Sequence, residues 1–322
     1  MRQDSKIYVA GHSGLVGSAL MRQLQARGYK NLVKRTHAEL DLADQAAVRD
    51  FFAQEKPEYV LLAAAKVGGI HANNTYPAEF IQQNLAIQTN VIHEAWRSNV
   101  KRLLFLGSSC IYPKDCMQPI KEEYLLTGQL EPTNRPYALA KIAGVEMCWS
   151  YNRQYGTKYV AAMPTNSYGQ GDNYDLANSH VLPALIRKMH EAKQRGDKQM
   201  VVWGTGTPRR EFIYSDDMAE ACLYLLEQSE EKLQVLFSDT QPPLVNVGCG
   251  EDLSIRELAE LVREVVGFTG NLVFDASKPD GTMRKLLDVG KLKALGWKAH
   301  TQLDDGIARA YADYLEHAKG EV

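Results

Sequence analysis

A tyrosine and a lysine stand four residues apart in the run Pro136-Tyr137-Ala-Leu-Ala-Lys141. On a helix, residues at i and i+4 share one face, so the ammonium would lie near the phenol and favour its ionised form. The phenol, with an ordinary pKa of about 10, would then come closer to neutrality and could give a proton to a carbonyl oxygen as hydride reaches the carbon. The alternative is an amphipathic surface pair, because the spacing is common by chance.

Hydroxyl and thiol groups follow a predicted strand at Leu103–Gly107, in the segment Leu106-Gly107-Ser108-Ser109-Cys110. The carboxyl ends of parallel strands open at one edge of a doubly wound sheet, so these groups and the Tyr-Lys pair are expected at the same edge. A Cys is often a small buried hydrophobe. Cys110 differs from the other cysteines because it adjoins two serines at a strand end.

Three glycines lie in Gly11-His12-Ser13-Gly14-Leu15-Val16-Gly17, directly after the first predicted strand and at the start of the first predicted helix. Glycines at this spacing permit a tight turn, a close approach of backbone amides to a pyrophosphate, and close packing of helix on strand. A tight strand-to-helix turn without a ligand is the alternative. The position within a predicted βαβ unit favours a dinucleotide.

Basic residues end the second predicted strand, in Lys34-Arg35-Thr36-His37. A cofactor with a free ribose 2′-hydroxyl would be bound by Asp or Glu at this position, whereas cations and hydroxyls suit a 2′-phosphate. The pattern therefore favours NADP(H) over NAD. Solvated basic residues at a strand end are the alternative.

The elements that must position these residues alternate regularly between strand and helix in the first half of the chain. Such alternation requires parallel strands with right-handed helical crossovers, which predicts an α/β fold with a Rossmann-like doubly wound parallel sheet. The predicted strands are Ile7–Ala10, Asn31–Lys34, Tyr59–Ala64, Leu103–Gly107 and Tyr159–Met163, and the predicted helices are Gly14–Arg27, Gln45–Glu55, Pro77–Asn99 and Pro136–Tyr155.

The regular alternation of strand and helix ends after Pro164, where Pro, Gly and Asn residues are concentrated. We expect residues 1–165 to form the NADP-binding domain and residues 166–322 to form mainly a smaller mixed α/β substrate lobe, with a segment near 211–248 returning to the first domain. The predicted elements of this part are helices at His180–Arg195, Ser254–Val266 and Gln302–His317, and strands at Met200–Trp203, Val245–Val247 and Leu272–Phe274.

Composition excludes several classes of protein. The 322 residues are 45% hydrophobic and 24% charged, as in a globular protein, and the net charge of −2 argues against a nucleic-acid partner. The longest apolar run, Tyr59–Ala65, is too short to span a bilayer and the N-terminus is too polar for a signal peptide, so we expect a cytoplasmic protein with no membrane partner. Five cysteines with no CxxC pair suggest neither a disulfide framework nor a metal site.

The glycine loop, the strand-end serine and the Tyr-x-x-x-Lys pair together resemble the extended short-chain dehydrogenase/reductase family, whose members modify nucleotide sugars. The resemblance runs essentially end to end and is closest to members that epimerise and reduce GDP-linked 4-keto-6-deoxy sugars. Its further motifs are Ala63-Ala-Ala-Lys-Val-Gly-Gly69, Gly107-Ser-Ser-Cys-Ile-Tyr-Pro113, Pro164-Thr165-Asn166, Asn178-Ser-His180, Trp203-Gly-Thr-Gly-Thr-Pro-Arg-Arg210 and Asp275-Ala-Ser-Lys-Pro-Asp-Gly281.

The resemblance implies epimerisation at C3 and C5 of the sugar followed by reduction of the C4 ketone by NADPH. Cys110 and His180 fall on the positions of the base and the acid, Tyr137 and Ser108 would bind the oxyanion at O4, and Lys141 would bind the nicotinamide ribose. His180 could instead cap the helix that follows it. Cofactor contacts are implied for Gly11, His12, Ser13, Gly14, Leu15, Val16, Gly17, Arg35, His37, Leu106, Gly107, Ser108, Ser109, Lys141, Pro164, Thr165, Asn166 and His180, and substrate contacts for Lys188, Trp203, Arg210 and Asp280.

Two departures from the family pattern concern the 2′-phosphate. Some members carry Arg where this chain has Ser13 and His37, which leaves Arg35, Lys34 and His37 to bind that group. Related 4,6-dehydratases and 4-epimerases retain NAD, and the dehydratases carry two adjacent acids where this chain has Cys110 and Ile111. A non-catalytic NADP-binding regulator is a further alternative, against which the complete Ser-Tyr-Lys set argues. The resemblance also implies a homodimer, with helices Pro77–Asn99 and Pro136–Tyr155 as the candidate interface.

Overall fold

The computed structural model of the chain describes residues 1–176, 178–278 and 280–318. Its strands are β1 (Ile7–Ala10), β2 (Leu32–Val33), β3 (Tyr59–Leu62), β4 (Arg102–Leu106), β5 (Tyr159–Pro164), β6 (Asn166–Tyr168), β7 (Gln199–Trp203), β8 (Arg209–Arg210), β9 (Phe212–Tyr214), β10 (Leu244–Val247), β11 (Leu253–Ser254), β12 (Asn271–Asp275) and β13 (Arg284–Lys285).

The α-helices are α1 (Leu15–Ala26), α2 (Gln45–Glu55), α3 (Ile70–Thr75), α4 (Pro77–Arg97), α5 (Arg135–Tyr155), α6 (Val181–Arg195), α7 (Ser215–Glu227), α8 (Glu230–Leu233), α9 (Ile255–Val266), α10 (Gly290–Ala294) and α11 (Leu303–Ala318). Short 3-10 helices lie at Ser109–Ile111, Glu122–Tyr124, Pro132–Asn134 and Gln234–Leu236.

The largest sheet has six parallel strands in the order β2-β1-β3-β4-β5-β10. Chain order reverses between β1 and β3, as in a doubly wound sheet, and ligands bind at such a point outside the carboxyl ends of the strands. The predicted Rossmann-like fold class is therefore confirmed, and all five strands predicted in the first half lie in this sheet. Its sixth strand comes from much later in the chain.

Both faces of this sheet are covered by helices, which explains why its strands read as continuous apolar runs. On one face, residues of α2, α4 and α5 form an apolar cluster with Tyr8, Phe105 and Tyr159. On the other face, α1 and α7 pack with Ile7, Leu61 and Leu104. A third cluster joins α6, α9 and α11 to the smaller strands.

The remaining strands form three small sheets: β7 with β12, β6 with β9, and β8 between β11 and β13. The mixed α/β composition of the second part agrees with the sequence prediction. The residues that the structure describes contain no helix long and apolar enough to cross a bilayer. The same residues contain no group of three or more His, Cys, Asp or Glu arranged to hold a metal ion.

Candidate active site

The glycine loop connects β1 to α1 and has no room for larger side chains at two positions. Gly11 has φ +82°, and a Cβ there would lie 2.6 Å from the backbone nitrogen of Ala64. A Cβ at Gly17 would lie 1.9 Å from the carbonyl oxygen of Gly11. These two glycines therefore let the loop fold against β3 and let α1 start close to the loop.

The start of α1 is open for an anion. Gly14 is the N-cap and supplies no side-chain hydrogen bond, and the first turn carries no acidic residue. A Cβ at Gly14 would touch only the Gly11 oxygen, at 3.6 Å, so this glycine is not required by the protein's own packing. The buried Nδ1 of His12 also lacks a partner among the described residues. An uncapped helix start beside an open glycine fits the diphosphate of a dinucleotide.

The basic residues after β2 are less available than their sequence suggests. The Arg35 guanidinium pairs with Glu55 at 2.5 Å and donates to the carbonyl of Lys34 at 2.8 Å. His37 is 87% exposed and its Nδ1 lies 3.8 Å from Asp41. A 2′-phosphate would therefore compete with Glu55 for Arg35.

Tyr137 and Lys141 lie on one face of α5, as predicted, and both approach the end of β4. The Lys141 ammonium donates to the carbonyl of Leu106 at 2.8 Å and lies 4.7 Å from the ring centre of Phe105 and 5.8 Å from that of Tyr137. Burial lowers the pKa of Lys141 to about 8.

The expected fall in the Tyr137 pKa is wrong. Burial raises that pKa well above its ordinary range, the Cys110 thiol adds to the effect, and a hydrogen bond with Ser108 opposes it. Desolvation of the phenolate dominates, and the Lys141 ammonium, 5.8 Å from the ring centre, does not offset it. The phenol is consequently protonated at neutral pH, as a proton donor must be.

Cys110 lies in the 3-10 helix Ser109–Ile111 and is 8% exposed. The Ser108 side chain caps this turn, accepting from the Cys110 backbone N–H at 3.4 Å. Burial raises the pKa of the Cys110 thiol, while Lys285, the Ser108 hydrogen bond and Lys141 each lower it. Ser108, Cys110, Tyr137 and Lys141 therefore share one small volume at the carboxyl end of β4.

His180 is the N-cap of α6, yet its side chain makes no capping hydrogen bond, so capping does not account for the imidazole. Desolvation lowers its pKa, and the Lys285 ammonium lowers it further. The preceding Ser179 has a buried Oγ without a partner among the described residues. The carbonyls of Asn178 and Ser179 also lie close to Gly69, so this segment meets the loop after β3.

Lys285 was missed by the sequence analysis and belongs to this site. It interacts electrostatically with Cys110, Arg210 and Cys116, and burial lowers its pKa. Its strand, β13, has only two residues and forms by pairing with β8. No periodic pattern in the sequence could reveal such an element.

The four predicted substrate residues form two pairs, Lys188 with Trp203 and Arg210 with Asp280, and Asp280 also binds the loop after Trp203. Trp203 is 65% exposed, and the ammonium of Lys188 lies 4.9 Å from its ring centre. Asp280 accepts from the backbone N–H and hydroxyl of Thr205 at 2.7 and 2.8 Å, and it interacts with Arg210. Arg209, by contrast, is engaged by two carboxylates, those of Asp252 at 2.9 Å and Glu257 at 3.4 Å.

The Pro164–Asn166 segment binds Glu211, which in turn binds the backbone of two later segments of the chain. The Thr165 hydroxyl and the Asn166 amide donate to the Glu211 carbonyl at 3.1 and 2.7 Å. The buried Glu211 carboxylate accepts from the backbone of Gly250 at 2.7 Å and of Leu287 at 3.0 Å. Thr165 and Asn166 thus have a structural role that their predicted cofactor role did not anticipate.

The remaining predicted cofactor residues line the same sheet edge. Ser13 is exposed in the loop, and Leu15 and Val16 open α1. Ser109 is buried, and a Cβ at Gly107 would overlap the side chain of Met163. Of the predicted motifs, Asp275–Gly281 contains Pro279, which lies outside the described residues, as does the segment 319–322 at the end of the predicted second part.

This fold and this sheet-edge Ser-Tyr-Lys site define an extended short-chain dehydrogenase/reductase. The chain belongs to the NAD dependent epimerase/dehydratase family, whose sequence profile matches residues 7–248.

Its relatives include GDP-L-fucose synthase 1 of Arabidopsis thaliana, 58% identical over 315 residues that cover 98% of this chain and 94% of that protein. GDP-L-fucose synthase of Escherichia coli K12 is 56% identical over 314 residues, which cover 97% of each protein. Among solved structures, a GDP-mannoheptose C4 reductase from Campylobacter jejuni with NADP bound superposes with a TM-score of 0.90 at 45% identity, covering 98% of this chain and 99% of that one.

Proposed function

We propose that this protein is a GDP-L-fucose synthase: it converts GDP-4-keto-6-deoxy-D-mannose to GDP-L-fucose by epimerisation at C3 and C5 and NADPH-dependent reduction at C4. The observation that carries the proposal is that Cys110 interacts with the Ser108-Tyr137-Lys141 set, while one ammonium, that of Lys285, acts on both Cys110 and His180. A reductase needs only the Ser-Tyr-Lys set. A thiol next to this set, and an imidazole that is affected by the same Lys285 ammonium as the thiol, would supply a base and an acid.

Epimerisation follows from the chemistry of the ketone. A C4 carbonyl acidifies the hydrogens on C3 and C5, so the Cys110 thiolate removes a proton from one ring face and His180 returns one to the other. The negative charge that develops on O4 is stabilised by the hydroxyls of Ser108 and Tyr137. The same two hydroxyls serve both centres, because C4, which carries O4, is bonded to both C3 and C5.

Reduction uses the same oxygen. NADPH, when bound, supplies the hydride that reaches C4. Tyr137 then gives its proton to O4, and its raised pKa keeps that proton in place until charge develops. Lys141, fixed by the Leu106 carbonyl, has ammonium protons left to hold the nicotinamide ribose.

The choice of NADPH rests on the basic residues after β2. Arg35, with Lys34 and His37, would bind the 2′-phosphate, and Arg35 would have to exchange Glu55 for that group. The glycine loop and the start of α1 would hold the diphosphate. Residues 1–165, with 211–248, would form the cofactor-binding part.

The rest of the chain would bind the GDP-sugar. Trp203 offers a flat exposed surface for the guanine, and Lys188 and Arg210 offer charge for the diphosphate. Asp280 fixes the loop after Trp203, through Thr205. We further propose that two copies of the chain associate through α4 and α5.

A second candidate is a C4 reductase that does not epimerise, which the likeness to the Campylobacter jejuni enzyme favours. The two candidates differ only in whether C3 and C5 exchange their hydrogens. Cys110 and His180 would have no catalytic task in the second.

The test is to incubate the protein with GDP-4-keto-6-deoxy-D-mannose and NADPH in D₂O, and to identify the product and its deuterium content by NMR. We expect GDP-L-fucose labelled at C3 and C5. Cys110→Ser should lose the exchange and retain some reduction of unepimerised ketone, whereas the neighbouring Cys116→Ser should keep both the exchange and the full reduction. Reduction without exchange in the unmodified protein would support the second candidate, and no turnover would reject both.

A further inference from the structure

Lys285 is a desolvated cation for which residues 1–176, 178–278 and 280–318 supply no carboxylate partner. Among the described residues, none of the ion pairs includes it, although its neighbour Arg284 binds Asp252 at 2.6 Å. An ammonium that has lost water without gaining a counter-charge is costly, and it favours any anion that forms beside it.

The pairing of β8 with β13 explains the difference between these neighbours. Arg209 lies beside Arg284 and Arg210 beside Lys285. Because successive side chains on a strand point to opposite faces, the two pairs face in opposite directions. Arg209 and Arg284 share Asp252 on one face. Arg210 and Lys285 lie on the other face, where Lys285 interacts electrostatically with Arg210 and Cys110.

Backbone hydrogen bonds fix Lys285 against the segment that carries the cysteines. The N–H of Ile120 donates to the Leu286 carbonyl at 2.7 Å, and the N–H of Asp288 donates to the Ile120 carbonyl at 2.8 Å. Leu286 also donates to the Gln118 side chain at 2.9 Å. The loop that follows Cys110 is thereby held along the chain just after Lys285.

The ionisable groups around Lys285 come from several elements. Cys110, Cys116 and Arg210 interact with it directly, and His180 at the start of α6 is affected by its charge. From α5, Lys141 acts on Cys110 in the same direction as Lys285 but more weakly. The nearby Glu211 carboxylate is directed to backbone N–H groups instead.

We propose that Lys285 is a positioning residue for epimerisation: its ammonium favours the anion of Cys110 and opposes a cation on His180, and so sets the pH window in which this base and acid work together. The inference rests on the proposed function for the roles of those two residues. Lys285 itself need not touch the substrate.

The pH dependence has a distinctive sign. Productive protein holds Cys110 deprotonated and His180 protonated, and kcat/KM for exchange is flat between the two pKa values and falls outside them. The positive charge of Lys285 lowers both pKa values. Replacing it with a neutral side chain therefore moves both limbs of the profile to higher pH, by about one unit each.

The first experiment needs no substrate. Iodoacetamide alkylation of Cys110, followed by mass spectrometry across pH, reports its thiolate directly. In Lys285→Met the rate near pH 7.5 should fall roughly tenfold, and Lys285→Arg should restore it. Arg284→Met, on the opposite face of the same strand, is the matched control and should leave Cys110 unchanged, while Cys249 in every sample serves as an internal reference.

The second experiment measures kcat/KM for deuterium exchange against pH in the same variants. Parallel alkaline shifts of both limbs in Lys285→Met, reversed in Lys285→Arg, support the inference. An unshifted alkylation profile in folded Lys285→Met overturns it, as does a rise in KM with both limbs unmoved. Should the unmodified protein show no exchange, the proposed function fails while the alkylation result still decides whether Lys285 controls the thiol.

Discussion

Tyr137 keeps its proton because it is buried, and this makes its hydroxyl the group on which reduction should depend most. We predict that Tyr137→Phe lowers kcat for reduction by roughly 10²- to 10⁴-fold, the range of a lost general acid. NADPH affinity, measured by fluorescence titration, should stay close to that of the unmodified protein. Tyr155→Phe, exposed at the other end of α5, is the control. Equal losses of kcat in both variants would contradict the assignment of Tyr137 as the proton donor.

Arg35 is held by Glu55, and the 2′-phosphate would have to replace that partner. We predict that Arg35→Ala raises KM for NADPH by about 10- to 100-fold, as expected for a lost charge-assisted hydrogen bond, and raises KM for NADH far less. Steady-state kinetics with each cofactor measure this. Arg49→Ala, a surface arginine paired with Asp50, should change neither value; matching changes for both cofactors would make Arg35 only a surface charge.

Residue types and spacing were sufficient to find the Ser-Tyr-Lys set and to distinguish Cys110 from the other cysteines. They could not decide between opposing effects on one group, such as burial against the Lys141 charge at Tyr137, because burial is a property of the folded chain. They also could not show that Arg209, next to the predicted Arg210, is engaged by Asp252. Lys285 was missed because its burial and its interactions exist only in the folded chain.

At the scale of elements, two glycines at the junction of β1 and α1 have different roles: Gly17 is needed for packing, and Gly14 for ligand binding. Gly17→Ala would place a Cβ against backbone that cannot move aside, so we predict a loss of about 1–3 kcal/mol in the free energy of unfolding. Gly14→Ala, which meets only the Gly11 oxygen at 3.6 Å, should leave that free energy nearly unchanged and weaken NADPH binding at least tenfold.

Denaturant unfolding and NADPH titration of the two variants test this distinction. If Gly14→Ala binds NADPH normally, the diphosphate does not approach the start of α1 and the cofactor site has been placed wrongly. If Gly17→Ala unfolds like the unmodified protein, the loop can adjust and its packing is looser than described.

Elements with a strong hydrophobic periodicity were predictable, and short strands that form only by pairing with another strand were not. Strand β1 and helix α2 have the predicted bounds, and α4 and α5 differ by two residues or fewer at each end. Helix α7 was missed although it is almost entirely buried, because apolar residues on most of its faces weaken an amphipathic pattern. Strands of two or three residues, such as β8 and β13, exist only through their partners.

At the scale of the whole molecule, α5 leaves apolar side chains exposed, among them Leu139 at 40% and Tyr155 at 44%. A groove between the starts of these helices is lined by Pro77, Ile81 and Leu139. We predict that light scattering finds twice the chain mass of 36.0 kDa and that Leu139→Arg shifts the protein toward the single-chain mass. Val235→Arg, 66% exposed elsewhere, should remain a dimer; a monomeric unmodified protein would contradict the association.

The late origin of β10 and α7 has a consequence for synthesis on the ribosome. Five strands of the main sheet are complete by Pro164, but α7, which covers one face beside α1, and β10, which closes the edge beside β5, come later in the chain. At 5–20 residues per second, the roughly 80 residues between the ends of β5 and β10 take about 4–16 s to emerge. During that interval the nascent chain exposes an apolar sheet face and an unpaired strand edge, and we expect chaperones to bind it then.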